Sequence, residues 1–251
     1  MKQLRLIFAL IALSVQSFSQ SNAFQAPRFE TSGLSDIQLQ NNFNNFMLQT
    51  HSQFAKGQLN EFTGLGGTQR YFSNVWISGT ATNPQDVTLG TPFVFNFDFK
   101  EHELYAQLRD TAIVVNSNYL KSFMLLENGQ PHYFIRYPSI HIKYFFESIG
   151  YDPELKTNPV QLLKLRQVKV RKTNKNDYAA NFNGDFADKL DNEVEYYIVL
   201  PDNTHTKVKL NKKAISAALP AYADKINEYF AINSGKFDDV SAGNLIKYIN
   251  Q

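Results

Sequence analysis

The chain has 251 residues, of which 43% are hydrophobic, 19% charged and 14% aromatic, and it contains no cysteine. That is the profile of a folded globular protein, long enough for one large domain or two small ones. The missing thiols exclude a disulfide framework, a thiolate metal site, a cysteine nucleophile and a lipid anchor attached through cysteine.

Lys2 and Arg5 precede the apolar run from Leu6 to Val15, and Ser17-Phe18-Ser19 then places small residues three and one before Gln20. This is the pattern of a secretory signal peptide, and the run is too short to cross a bilayer core that needs about 20 apolar residues. The formal net charge of +2 belongs to Lys2 and Arg5, so the remaining chain is balanced. The charge balance says little about a partner, and export itself argues against nucleic acid. The expected organisation is a signal peptide over 1–19, a flexible leader over 20–34, and a single β-rich domain over 35–251 whose segment 211–251 is helical. The expected location is periplasmic or extracellular.

From Ser35 onward, Ile37, Phe43, Phe46, Met47 and Phe54 fall roughly on one helix face, with Ser35 or Asp36 placed to cap it. Gly64-Leu65-Gly66-Gly67 then breaks the chain. It lacks the GK[ST] ending of a phosphate loop and precedes a strand, so it reads as a turn. Strand signals follow. Phe93, Phe95, Phe97 and Phe99 alternate with Val94, Asn96 and Asp98, and Leu104, Ala106 and Leu108 repeat the alternation as a hairpin partner. Ala112 to Val115 is a further short strand. Lys121 to Leu126 and His132 to Tyr137 flank Asn128-Gly129, a dipeptide that favours a two-residue hairpin because both positions tolerate positive φ.

Val168 and Val170 mark another strand. Val194, Tyr196, Ile198 and Leu200 mark the next, followed by the turn Pro201-Asp202-Asn203-Thr204 and a return strand from Thr206 to Leu210. The period then changes to helical. Ile215, Ala218 and Leu219 make one stripe, Pro220 interrupts, and Tyr222, Ile226, Tyr229 and Phe230 make a second that ends near Gly235. Leu245, Tyr248 and Ile249 mark a last helix with Asp238 and Asp239 at its start, where carboxylates suit the positive end of the helix dipole.

The five histidines, His51, His102, His132, His141 and His205, show no HExxH-type pairing. Glu101-His102-Glu103 occupies a hairpin turn, where charged residues are expected for solvation. His141 with Glu147 offers no recognisable spacing. There is no G-x-S-x-G elbow and no suggestive carboxylate pair. Asp98, on the polar face of the phenylalanine strand, is the first carboxylate to test for activity, against an ordinary role as a solvated or cross-strand-paired group. Lys164, Arg166, Lys169, Arg171, Lys172 and Lys175 form the densest basic stretch, read as an outward strand face with contact to an anionic glycan or headgroup as a minor alternative.

The segments Gly67-Thr68-Gln69-Arg70-Tyr71-Phe72, Val75-Trp76 with Gly79-Thr80, and Phe95-Asn96-Phe97-Asp98 followed by Leu104 resemble an uncharacterised family of signal-peptide-bearing proteins of Bacteroidota-type bacteria. The similarity runs through Asn211-Lys212-Lys213 to the closing helices, over residues 64–249. The resemblance implies an exported β-rich domain with a helical tail. It brings no activity, cofactor or catalytic residue.

The expected fold is α+β with β dominant, an antiparallel sheet of roughly eight strands curled into a sandwich or partly open barrel, with C-terminal helices. The expected function is that of a non-enzymatic, exported envelope protein, a binding or structural module with no catalytic, cofactor-binding or metal residues assigned. Its candidate partners are an envelope protein, a glycan or a small apolar ligand. Two alternatives are a carrier holding that ligand in a Phe-lined barrel and a hydrolase with a dispersed site. N-terminal sequencing of the exported protein should begin near Gln20, and an exported product that starts at Met1 overturns the signal-peptide assignment.

Overall fold

A computed structural model describes residues 35–55, 70–152, 155, 159–172 and 189–251. The expected signal peptide and leader and the Gly64–Gly67 break lie outside the described residues. Helix α1 (Asp36–Gln49) begins where expected. The Ser35 hydroxyl accepts from the Gln38 backbone while the Gln38 side chain accepts from the Ser35 backbone, a reciprocal cap. Twelve strands follow: β1 (Gln53–Phe54), β2 (Ile77–Thr82), β3 (Thr88–Leu89), β4 (Val94–Asp98), β5 (Glu103–Leu108), β6 (Thr111–Val115), β7 (Ser122–Glu127), β8 (Gln130–Arg136), β9 (Phe145–Ile149), β10 (Gln161–Arg171), β11 (Lys189–Val199) and β12 (His205–Val208). The chain closes with α2 (Lys212–Ala218), α3 (Ala223–Ile232) and α4 (Asp239–Asn250).

The strands form one antiparallel sheet in the order β1-β6-β5-β4-β2-β7-β8-β9-β10-β11-β12, with β3 paired to β2. It holds more strands than the eight or so that alternation reveals. β1 and β3 are two residues each, and β2, Ile-Ser-Gly-Thr-Ala-Thr, is made largely of small residues that carry no hydrophobic period. The Asn128-Gly129 hairpin forms as expected, with Glu127 opposite Gln130 and φ positive at both turn residues.

The sheet is open at β1 and β12 but strongly curled. β10 stands five positions from β4, about 24 Å along a flat sheet at ordinary strand spacing. Yet the Arg166 guanidinium of β10 lies 4.3 Å from the centre of the Phe99 ring just past β4. Val168 of β10 likewise joins the same buried cluster as Phe95 and Phe97. The sheet must fold back on itself to permit both contacts, as a sandwich or a partly open barrel does, and it is not closed.

Its concave interior has two apolar parts. The phenylalanines of β4 meet Leu104, Ile113, Phe123 and Phe134, and α1 plugs one end through Phe43 and Phe46. Phe43 stacks on Phe93 at 5.5 Å. Further along the same face, Ile149, Leu162 and Ile198 are covered by Ile215, Ile226, Leu245 and Ile249 of the C-terminal helices. A smaller cluster, with Phe146, Leu163 and Val199, lies on the opposite face. Helix α4 approaches the end of β9 so closely that its Gly243 backbone touches Gly150, and a Cβ on Gly150, where φ is +73°, has no space.

The other face of β4 is buried too. Tyr71 bridges Asp98 and Ile77 pairs with Phe95, so six residue steps of the first segment run opposite three of the second. The surplus backbone needs partners, and Asn96 supplies them. Its amide donates to the carbonyls of Ser73 (2.8 Å) and Val75 (3.3 Å), and its oxygen accepts from the Ser73 N–H.

Phe95 is fully buried at the centre of this packing. Phe95→Ala should therefore lower unfolding free energy by about 3–5 kcal/mol in urea titration, and a loss below about 1 kcal/mol contradicts the packed-core reading.

Candidate functional site

Antiparallel register places one row of side chains straight across the inner face. Phe134 stands opposite Glu147, Glu147 opposite Lys164, Lys164 opposite Tyr196, and Tyr196 opposite Val208. His132 and Arg166 lie two residues away on the same face, by strand alternation. Asp239, in the first turn of α4, reaches the row from above.

The groups pair with one another. Glu147 takes a hydrogen bond from His132 Nδ1 at 2.6 Å through one oxygen and faces Lys164 Nζ at 3.4 Å through the other. Lys164 also donates to Asp239 at 2.6 Å, and the Tyr196 hydroxyl donates to the second Asp239 oxygen at 2.7 Å. Glu147 and Lys164 side chains are only 15% and 19% exposed, so these contacts sit in a medium where charge attraction is poorly screened. Burial works against the Lys164 ammonium, but Glu147 and Asp239 outweigh it and hold its pKa above the ordinary value. Burial first, then Asp239, keep the Tyr196 phenol protonated well above its usual range. Burial alone lowers Arg166, against the pull of Glu147 and Glu127.

Because a carboxylate only accepts, the Glu147 contact fixes a proton on His132 Nδ1 and leaves Nε2 as the basic nitrogen. That is half of a catalytic arrangement. Among the described residues no serine or threonine hydroxyl bonds Nε2; the Phe72 ring meets the imidazole edge-on at 5.1 Å. An open groove of about 460 Å³ lies beside Tyr196, lined by residues 193–196 and 207–210.

Asp98 is not a solvated strand residue. It is fully buried, and Arg70 donates to one of its oxygens from Nε (2.9 Å) and Nη2 (2.6 Å) while the other accepts from the backbone N–H groups of Lys100 and Glu101. Asp98 thus organises the β4–β5 turn. His102, expected to face solvent in that turn, is buried at 3% exposure, against Phe97 and Tyr144. His141 and Glu147 do not pair: His141 stacks on Tyr144 at 3.6 Å, and Glu147 holds His132.

The basic stretch does not form one face: Lys164 and Arg166 lie on the inner face, while Lys169 and Arg171 pair with acids across the hairpin. Lys169 pairs with Glu193 (2.6 Å), Arg171 with Asp191 (3.1 Å), and Arg166 donates to Asn192 (3.2 Å). Lys175 lies outside the described residues. The phenylalanine face is close-packed: the Phe97 centroid lies 4.9 Å from Phe123, 5.2 Å from Phe99 and 5.6 Å from Phe134, spacings of rings in contact. Among the described residues these rings pack on one another, as a structural core would have them.

Among the described residues no group of three or more His, Cys, Asp or Glu side chains is placed to hold a metal ion, and no helix is long and apolar enough to cross a membrane. No family model, curated protein or solved structure matches the chain, so the resemblance read from its motifs gains no support there. The cluster of His132, Glu147, Lys164, Tyr196 and Asp239 was missed in sequence because its members are spread over four strands and a helix. One signal did exist: Lys164 and Arg166 occupy positions in register with Leu162 and Val168, where an inward strand face should be apolar.

Removing the central cation leaves two carboxylates without it. Lys164→Met is expected to cost about 2–3 kcal/mol, less than the 3–5 kcal/mol typical of a fully buried pair because the site is partly wet. Adding Glu147→Gln should restore part of the loss in urea titration, and a strictly additive double variant speaks against coupling.

Proposed function

We propose that the protein is an exported envelope protein acting as a non-catalytic binding or structural module. The observation that supports this best is the use made of the ionisable groups on the inner face. Glu147, Lys164, Tyr196 and Asp239 are spent on one another, and their effect is to tie the first turn of α4 to three neighbouring strands. Groups so paired are poor nucleophiles, and Tyr196 in particular is held in its protonated form. The close-packed phenylalanine rings argue in the same direction, since a structural core would have them so. The leader pattern from Lys2 to Ser19 supports export.

A hydrolase is the second reading, and one observation favours it: His132 is oriented by Glu147, which also faces the lysine that holds Asp239. A hydrolytic activity of the purified protein that His132→Gln abolishes, with the melting transition preserved, would decide for the enzyme.

The structural role is tested by truncation after Leu210, which removes Asp239 and all three C-terminal helices. Soluble folded protein and its cooperative melt are expected to be lost, because the helices cover Ile149, Leu162 and Ile198. An unchanged transition would make the helices a separable, partner-binding tail.

A further inference from the structure

His102 occupies an unusual position for an ionisable group. Its backbone is left-handed, with φ of +54°, a conformation histidine tolerates better than most residues and one that turns the side chain inward from an otherwise charged loop. The ring is 3% exposed, and neither nitrogen has a hydrogen-bond partner among the described residues. It stacks on Tyr144 at 4.1 Å and meets Phe97 edge-on at 5.7 Å. The opposite face of Tyr144 carries His141 at 3.6 Å, with the two rings nearly parallel. Three rings thus join the turn at 99–103 to the segment at 137–144, one imidazole on each side of a phenol.

We propose that this His102–Tyr144–His141 stack is an acid-released latch: protonation of His102 expels its ring and frees the β4–β5 turn from the segment preceding β9.

Among the described residues neither His102 nitrogen is bonded to an acceptor, and the charge that acts on the ring is that of His141. Phe97 brings no charge from β4. From the 137–144 segment the titratable groups are Tyr144 and His141, and His141 Nδ1 already accepts from the Lys143 N–H at 3.2 Å. From β10, Lys169 lies near enough to Tyr144 to interact with it and adds another positive charge. Glu101 and Glu103 flank His102 in sequence, but Glu103 stands in register with Asp98 on the outer face of β4 and β5, beside Tyr105. Burial first, then His141, push the His102 pKa down from 6.5 to about 4.

The sign follows from linkage. A histidine whose pKa is lower in the closed state binds fewer protons there, so the closed state is favoured fully above about pH 6.5 and loses that advantage as pH falls toward 4. The separation corresponds to a shift of roughly 300-fold in the closed-to-open ratio. Release would expose the faces of Phe97 and Tyr144 that His102 covers.

The test is hydrogen–deuterium exchange of the full chain between pH 7 and pH 4, corrected for intrinsic rates, read on peptides spanning 99–106 and 138–146. Protection of both should fall together by at least tenfold in the wild type. His102→Phe, which keeps a ring in the site without a proton to gain, should abolish that pH dependence. His141→Phe should retain it and move the midpoint upward, because one source of repulsion is gone. Equal protection at both pH values, or an unchanged fall in His102→Phe, overturns the latch. Should His102→Phe fail to fold, NMR titration of His102 in the wild type decides: a depressed midpoint supports the latch, and an ordinary one near 6.5 overturns it.

Discussion

A lysine placed where an inward-facing leucine belongs governs how this molecule is put together. Rolling a twelve-stranded sheet brings β10 against the end of β4 and creates a concave face long enough for two apolar cores, one filled by phenylalanines and α1, the other by the C-terminal helices. Lys164 lies between them. Its charge cannot be left alone at such depth, and the two carboxylates that answer it come from different places: Glu147 from the neighbouring strand and Asp239 from a helix 75 residues further on. The pairing therefore does more than offset desolvation. It specifies which end of α4 lies over which strands, something that apolar contacts, being non-directional, leave loosely defined. Asp239 also sits in the first turn of its helix, where the dipole favours a negative charge, so one carboxylate serves the helix and the sheet together.

The same logic, a polar side chain standing in for something the fold requires, appears on the other side of β4. The backbone between Tyr71 and Ile77 is too long for its partner strand, and the Asn96 amide takes over the bonds that a regular ladder would have made. Two residues on, Asp98 binds Arg70 and the turn amides of Lys100 and Glu101. β4 is consequently enclosed on both faces, with phenylalanines inward and a satisfied polar pair outward. A buried face that is polar by composition is stable only because each of these groups finds its partner within the fold.

Much of this was legible in advance and some was not, for identifiable reasons. The Asn128-Gly129 turn, the Phe93–Phe99 alternation, the Ser35 cap and the break at Pro220 are local: each depends on residues within a few positions of one another, and each is where the pattern put it. The strand total was underestimated because β1 and β3 are too short to show a period and β2 is built from small residues. Asp98 meets the cross-strand pairing expected of it, with Arg70 as partner, whereas His102 was misjudged. Charged residues near a turn ordinarily face water, and nothing within the Glu101-His102-Glu103 triplet reveals that Tyr144, 42 positions later, provides a lid. The basic stretch was read as one outward strand face, yet Lys164 and Arg166 turn inward, and the acids that pair with Lys169 and Arg171, Glu193 and Asp191, become neighbours only through the 11-residue register of β10 and β11. Patterns along the chain reveal periods; the identity of a partner across the sheet is a property of register.

The contact between Gly150 and Gly243 fixes which side of the last helix faces the sheet. Where a helix rests on a strand through interdigitated side chains, it can shift by fractions of a residue while rotamers readjust. Here bare backbone meets bare backbone at one point, and no side chain is present to take up slack. The seat resists sliding, and Asp239 and Asn250 hold the two ends of the helix beside β10 and β11. Its tolerance to alterations in chain length is correspondingly uneven. Added residues between α3 and α4 leave the seat intact, whereas one residue added within α4 before Gly243 turns the bare spot by about 100° and brings a side chain over Gly150. The helical layer can vary in the length of its connections while the phase of its last helix stays locked to the sheet.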